Sequence, residues 1–252
     1  MFNGDGLLLN GYIPGHPGKG FKDIWNSKWF SGADFSPHDI PMCPTYLPNG
    51  LPKTLISFPR AKTLFNSEMR SGHVGFHNDA FVHYYCYDHL FDGPQNSIWH
   101  HPDNAMSILR HFGGVITPDF SPYADFPDPL KRYNTYRMRG FGLCCISEGL
   151  PVINNVRWGT EETWEYCFDG IEKNSVVCIG NVASGINKKE NREYYMNGFL
   201  KMLEILTPKA ILFYGAINGE IIGLLKTRDI ELIHFPSETD DAFSHGKGGK
   251  AK

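Results

Sequence analysis

GVITPDFSPY, from Gly114 to Tyr123, is a short apolar run that stops at a proline and turns at once into Asp119 and Ser121. Three later stretches share its form: PVINNVRWG at Pro151 to Gly159, SVVCIGNVASG at Ser175 to Gly185, and KAILFYGA at Lys209 to Ala216. Each is a run of Val, Ile, Leu or Cys that breaks into polar or glycine residues. Strands of a parallel sheet covered on both faces read this way, and their carboxyl ends are where such folds take ligands.

Working outward, FVHYYCY (Phe81 to Tyr87) has the β-branched and aromatic content of a strand, with Asp88 at its end. TLISF (Thr54 to Phe58) is a short candidate strand and IELIHFP (Ile230 to Pro236) a last one. Helical segments fall between. Pro102 suits the first turn of one, with Ala105, Ile108, Leu109 and Phe112 at helical spacing. The best-marked helix has Asp128 as N-cap, Pro129 at its first position and Gly149 as its stop. Its interior glycines, Gly140 and Gly142, each cost about 1 kcal/mol against alanine, which predicts that this helix lies tightly on the sheet. Thr160 can cap a short helix, EETWEYCF, and Asn187 a longer one. The longer one puts Tyr195, Phe199, Met202, Leu203 and Leu206 on one face. A further short helix is expected over NGEIIGLLKTRD, Asn218 to Asp229.

This alternation implies an α/β fold with a mainly parallel sheet, flanking helices and right-handed crossovers. The sheet is either an incomplete barrel or the centre of a three-layer sandwich. Three regions are expected: an irregular N-terminal arm rich in aromatics, proline and glycine over residues 1–60, packing on the main body; the α/β domain over 61–236; and a polar tail over 237–252.

Hydrophobic residues make up 41% of the 252 and charged residues 20%, which excludes a disordered or fibrous chain. The net charge of -3 gives no global reason to bind nucleic acid or an anionic membrane. No apolar run approaches the roughly 20 residues of a membrane span, and MFNGDGLLLNGY lacks the form of a signal peptide. A cytoplasmic protein is expected. Cys86, Cys144, Cys145, Cys167 and Cys178 sit in apolar or aromatic runs and read as small buried hydrophobes, and no CxxC pair points to structural zinc.

The stretches GVITPDFSPYADFPDPLKRYNTYRMRG, PVINNVRWG, YCFDGIEKNSVV and ILFYG, in this order, resemble the uncharacterised bacterial, phage and mobile-element family known as DUF4417. VHYYCYDHLFDGPQNSIWHHPDNAMSILRHFGG is similar to the segment that precedes the family's TPDFS strand, and PTYLPNGLPKTLISF is a fainter likeness upstream. The resemblance covers roughly residues 40 to 235. It implies a cytosolic protein of a bacterium or a phage-infected host, and it carries no established activity, cofactor or catalytic residue.

Parallel strands would gather Asp88, Asp119 with Ser121, Asn155 with Arg157 and Trp158, Asn181 with Ser184, and Tyr214 with Asn218 at one edge. A carboxylate, a guanidinium, amides and an aromatic face suit an anionic or nucleotide-like ligand. Asp119 is the expected acid or base, the alternative being a cap on the Pro118–Ser121 turn. Arg157 and Trp158 can clamp a phosphate and stack a ring, or else pair with Glu161 or Asp169 and pack in the core. On the long helix Arg137 is expected to face inward as a ligand contact and Arg139 to be a solvated or paired surface charge. Ser184 and Tyr214 complete the ligand-binding set. His73, His77, His83, His89, His100 and His101 are dense but lack paired-ligand spacing, so no metal site is assigned and no cofactor is named.

These residues leave three functions open. One is a hydrolase or transferase acting on a phosphate-bearing small molecule. Another is a sequestering protein that holds a nucleotide without turning it over. The third is a non-catalytic phage or mobile-element protein that binds nucleic acid or a protein partner through its aromatic first half.

Overall fold

The computed structural model describes residues 26–181 and 189–238. The chain divides into two compact units, residues 1–172 and 173–252.

In the first unit the elements run β1 (Leu55–Ser57), α1 (Phe58–Arg70), β2 (Asn78–His83), α2 (Pro102–Leu109), β3 (Phe112–Ile116), α3 (Asp128–Ser147) and β4 (Val152–Asn155). Each strand pairs in parallel with the next one in sequence. Val82, Val115 and Val152 stand in register across β2, β3 and β4. They share one apolar cluster with Phe58 and Ala61 of α1, Ile108 and Leu109 of α2, and Phe141 and Cys145 of α3. Because side chains alternate along a strand, Phe81, His83, Ile116, Ile153 and Asn155 project from the opposite face, and all five are buried. Full burial of an aliphatic or phenyl side chain is worth about 1.5–3 kcal/mol, so both faces contribute to holding the strand ends in place.

Gly113 and Gly114 let β3 close on β2. A Cβ on Gly113 would lie 2.3 Å from Asp79 O, and one on Gly114 would lie 2.4 Å from the Phe81 ring. The same need for close approach governs α3. A Cβ on Gly140 would meet Phe30 Cζ at 2.7 Å, and one on Gly142 would meet Cys43 Sγ at 2.5 Å and Thr117 Cγ2 at 2.8 Å. The tight packing expected of α3 is therefore present, but against two partners, the sheet and the segment before β1. In that segment Trp29 packs edge-on against Trp99 at 5.2 Å, and Tyr46 and Val152 exchange backbone hydrogen bonds of 2.9 and 2.7 Å.

The end of α3 follows expectation. Gly149 has φ 78, its N–H donates to Ile146 O at 2.9 Å, and Leu150 N–H reaches back to Cys145 O at 3.0 Å, a Schellman closure. Its start differs. Pro127 occupies the cap without a side-chain bond, and the Asp128 carboxylate accepts the Tyr166 hydroxyl at 2.7 Å instead. The segment expected as the helix EETWEYCF forms only a 3₁₀ turn, Glu161–Glu165.

The second unit holds β5 (Val176–Gly180), α4 (Lys189–Leu206), β6 (Ala210–Tyr214), α5 (Gly219–Thr227) and β7 (Glu231–Phe235). β6 pairs in parallel with β5 and with β7. Tyr195, Phe199, Met202, Leu203 and Leu206 of α4 are buried, as the helical spacing predicts. Asn187, the expected cap of α4, lies outside the described residues. Asn218 caps α5 by accepting Ile221 N–H at 2.9 Å.

The fold is α/β, mainly parallel sheet with flanking helices. Within each unit the strand order follows the sequence. That is the winding of a barrel segment, without the reversal that creates a ligand crevice in an open doubly wound sheet. Among the described residues no helix is long and apolar enough to cross a membrane.

Candidate functional site

Three successive strands of the first unit deliver charged residues just past their carboxyl ends. Asp88 follows β2, Asp119 and Ser121 follow β3, and Arg157 follows β4. Asp119 is nearly buried, and its carboxylate meets two partners: Asn155 Nδ2 donates to Oδ1 at 3.0 Å, and Arg157 Nη1 lies 3.5 Å from Oδ2. Asn155 is held on every side. The Tyr85 hydroxyl donates to its Oδ1 at 3.0 Å, its N–H donates to Thr117 Oγ1 at 2.8 Å, and its carbonyl accepts Arg139 Nη1 at 3.1 Å. Tyr85 itself packs in a stack on His83, ring centroids 5.3 Å apart.

Asp88 accepts both the N–H of Ser121, at 3.3 Å, and its hydroxyl, at 3.1 Å. Desolvation holds the Asp88 carboxyl above its usual value; the Ser121 bonds oppose this, Asp119 adds to it, and Arg157 opposes it. The two carboxylates and the guanidinium thus act on one another. A carboxylate offers about four lone-pair sites, so with the bonds described both Asp88 and Asp119 keep capacity for a ligand's donors. Arg157 is 27% exposed along its side chain, and Trp158 is half-buried with its ring tilted against Phe168 at 6.5 Å.

The remaining predicted residues fall as follows. Arg137 is 11% exposed, donates to Asp92 at 2.7 Å and to Asn134 at 2.6 Å, and lies over the Phe120 ring at 3.9 Å. Tyr214 is in the second unit, buried, with its hydroxyl accepting Glu238 N–H at 3.2 Å. Asn181, also in that unit, donates to Ala216 O at 2.6 Å. Ser184 lies outside the described residues. The structure therefore brings Asp119, Ser121, Asn155 and Arg157 together with Asp88, and Trp158 adjoins Arg157 in sequence.

Arg139 is not a surface charge. It is fully buried and donates to three carbonyls, those of Asp169 at 3.0 Å, Asn155 at 3.1 Å and Cys167 at 3.2 Å. Burial pulls its pKa down to about 10, which leaves it charged at neutral pH. The physical reason is that the chain after β4 returns over this side of α3 at Cys167–Gly170, so that backbone carbonyls and Gly170 enclose the guanidinium and its stem. Asp169, one of the two partners that the alternative reading gave Arg157, pairs with His38 at 2.8 Å.

The histidines disperse. His73 meets Glu68 at 2.7 Å, His77 meets Asp79 at 3.3 Å, and His89 stacks on Tyr87 at 5.8 Å. Among the described residues no three His, Cys, Asp or Glu side chains converge on a metal position. Five cysteines are buried and Cys86 is half-buried, all as free thiols. Burial pushes the Cys43, Cys144 and Cys167 thiols up to about 12, which makes them poor nucleophiles.

Sequence reasoning passed over Tyr85 and Lys131. Tyr85 lies two residues beyond His83, so strand alternation places it on the face of Asn155. Lys131 is buried and joins the loops after β3 and β4, donating to Ala124 O at 3.0 Å and Thr160 Oγ1 at 3.4 Å. No sequence signal distinguishes it from a solvated lysine.

Among known families, the profile of DUF4417, described as a domain of unknown function, matches residues 37–235. The chain belongs to the DUF4417 family. The DUF4417 domain is phage-associated here. The chain is 30% identical over 142 residues to the Gene 1 protein of Mycobacterium phage L5, covering 56% of this chain and 59% of that protein. It is 29% identical over 138 residues to the Gene 1 protein of Mycobacterium phage D29, covering 54% and 49% respectively. The matched region thus spans about half the length of these curated relatives. No solved structure matches the chain. The DUF4417 match takes in every strand from β1 to β7, and with them all the strand-end residues described above.

Proposed function

We propose that this DUF4417 protein binds a small nucleotide-like ligand at the carboxyl ends of β2, β3 and β4. The observation that carries the reading is the mixed charge of the Asp88, Asp119 and Arg157 cluster. Arg157 asks for an anion and the two carboxylates ask for donors, so a bare phosphate satisfies only part of the site. A phosphate ester with hydroxyls or a base edge satisfies all of it. Arg157 takes the phosphate in exchange for its 3.5 Å contact with Asp119, and Trp158 supports a ring. In this reading Asp119 is the acid or base of a hydrolytic or transfer step, and Asp88, whose carboxyl is held up by desolvation, is the second carboxylate beside it.

A thermal-shift screen of nucleotides, sugar phosphates and inorganic phosphate on wild type, Arg157→Ala and Asp119→Asn tests this. A ligand at a hundred times its Kd stabilises the fold by about 2.7 kcal/mol. The expected result is a shift with a nucleotide or sugar phosphate, none with inorganic phosphate, and none in Arg157→Ala. A screen without any wild-type shift, or shifts equal in all three proteins, would overturn the reading.

Exposed Tyr87 and Tyr123 (75% and 49%) beside Asp88 and Ser121 favour a second reading, in which the same edge stacks the bases of a single-stranded nucleic acid without turnover. Saturable, salt-dependent binding of an oligonucleotide, with no response to mononucleotides, would select it.

A further inference from the structure

Arg137 joins the two loops that carry the strand-end site. One arm, Nη1, donates to Asp92 Oδ2 at 2.7 Å, and Asp92 closes the turn that begins at Asp88, its N–H bonding Asp88 O at 2.7 Å. Ser97 Oγ donates to the other Asp92 oxygen at 2.7 Å. The second arm, Nη2, donates to Asn134 Oδ1 at 2.6 Å, and Asn134 Nδ2 donates to Ser121 O at 2.8 Å. Ser121 then donates its N–H and hydroxyl to the Asp88 carboxylate. The circuit closes on itself: Asp88 and Ser121 hold one another, and each is tied separately to one arm of the same guanidinium. The plane of that guanidinium is fixed by Phe120, 3.9 Å away, and Tyr133, 5.1 Å away, and Phe120 is the residue between Asp119 and Ser121.

We infer that Arg137 is a positioning residue for the strand-end site, setting Asp88 against Asp119 and Arg157 by fixing both partners of the Asp88–Ser121 contact. The inference rests on the reading of that edge as the functional site. A bond to Asp92 alone would hold only the turn at Asp88; the second arm, through Asn134 to Ser121, ties the loop after β3 to the same guanidinium, so that both partners of the Asp88–Ser121 contact are set from one side chain. A planar fork with two fixed arms does this, and an ammonium does not.

The test is the titration of the Asp88 carboxyl by carbon NMR in the full chain without ligand, assigned by Asp88→Asn, in wild type, Arg137→Lys, Asn134→Ala and Ser121→Ala. Arg137→Lys keeps the charge while losing the fork, and the charged groups that face Asp88, Asp119 and Arg157, are untouched. Donors to the charged form lower a carboxyl pKa, so their loosening moves the Asp88 titration upward in Arg137→Lys and in Asn134→Ala. The double variant Arg137→Lys/Ser121→Ala then shifts by less than the sum of the two single changes, since both act in part through the Ser121 hydroxyl while the Ser121 N–H remains. A wild-type Asp88 titration in a folded Arg137→Lys, or additive shifts in the double variant, overturns the inference. Should Arg137→Lys fail to fold, Asn134→Ala decides the matter, because it cuts only the Ser121 arm. No ligand enters the measurement, so this outcome stands apart from that of the nucleotide screen.

Discussion

At pH 5 the unfolded chain carries His83 protonated, whereas the folded chain holds it neutral. Burial lowers the His83 pKa from 6.5 to about 3, and the ring is fully enclosed. Between these values the unfolded state binds the extra proton, so stability rises with pH across that window and is lost as pH falls from 6.5 toward 3. Each pH unit of full difference is worth 1.36 kcal/mol; acidification from pH 7 to pH 5 therefore costs about 2 kcal/mol through this one side chain. The perturbation is His83→Gln, which keeps a polar side chain of similar reach and removes the titration. Urea unfolding followed by circular dichroism at pH 7 and pH 5 gives two free energies for each protein, and the comparison is between the two pH differences, so that every other titrating group cancels. Wild type is expected to lose about 2 kcal/mol more than the variant over this interval. Parallel losses in the two proteins would refute the argument, since His83 would then be taking up its proton in the folded state.

Other outcomes follow from packing. Arg139→Met leaves the carbonyls of Asn155, Cys167 and Asp169 without their donor, and with hydrogen bonds to charged groups worth about 1.5–3 kcal/mol each before relaxation, an overall loss of about 3–5 kcal/mol is expected in urea melts. Gly142→Ala forces a methyl group to 2.5 Å from Cys43 Sγ, and the overpacking cost of about 1–3 kcal/mol outweighs the helix-propensity gain of about 1 kcal/mol, so its melting temperature falls. Gly223→Ala in α5 meets nothing within 4 Å and gains the propensity alone, so the same assay shows stabilisation by up to about 1 kcal/mol.

Most strands were legible because each is a short apolar run ended by proline, glycine or an amide; β2, expected at Phe81 to Tyr87, instead runs Asn78–His83, since aromatic content does not mark where pairing begins or stops. β1, only three residues long, was legible for the same reason. The 3₁₀ turn at Glu161–Glu165 was misread as a helix, because acidic residues after a threonine favour any helical start and do not set how far the turn continues. Asp119, Ser121, Asn155 and Arg157 were legible as a group, since parallel pairing brings successive strand ends together whatever the side chains do afterwards. Arg139 of α3 was not: expected at the surface, it is fully buried. Which side of a helix is buried depends on everything packed around it, and the return of the chain over α3 at Cys167–Gly170 has no periodic signature. Partner choice was equally hidden: that Arg157 meets Asp119 while Asp169 meets His38 depends on loops whose course the local sequence does not dictate.

The bonds of Arg139 also bear on how this family can vary. One guanidinium grips the carbonyl of Asn155 at the departure of the excursion after β4 and those of Cys167 and Asp169 at its return. Both ends of the excursion are thus held from beneath, while Lys131 and Asp128 fasten Thr160 and Tyr166 within it. Doubling such a loop costs only about 0.6 kcal/mol in closure entropy. A change in the length of this excursion therefore leaves the strand beneath it anchored at both ends of the loop by one side chain.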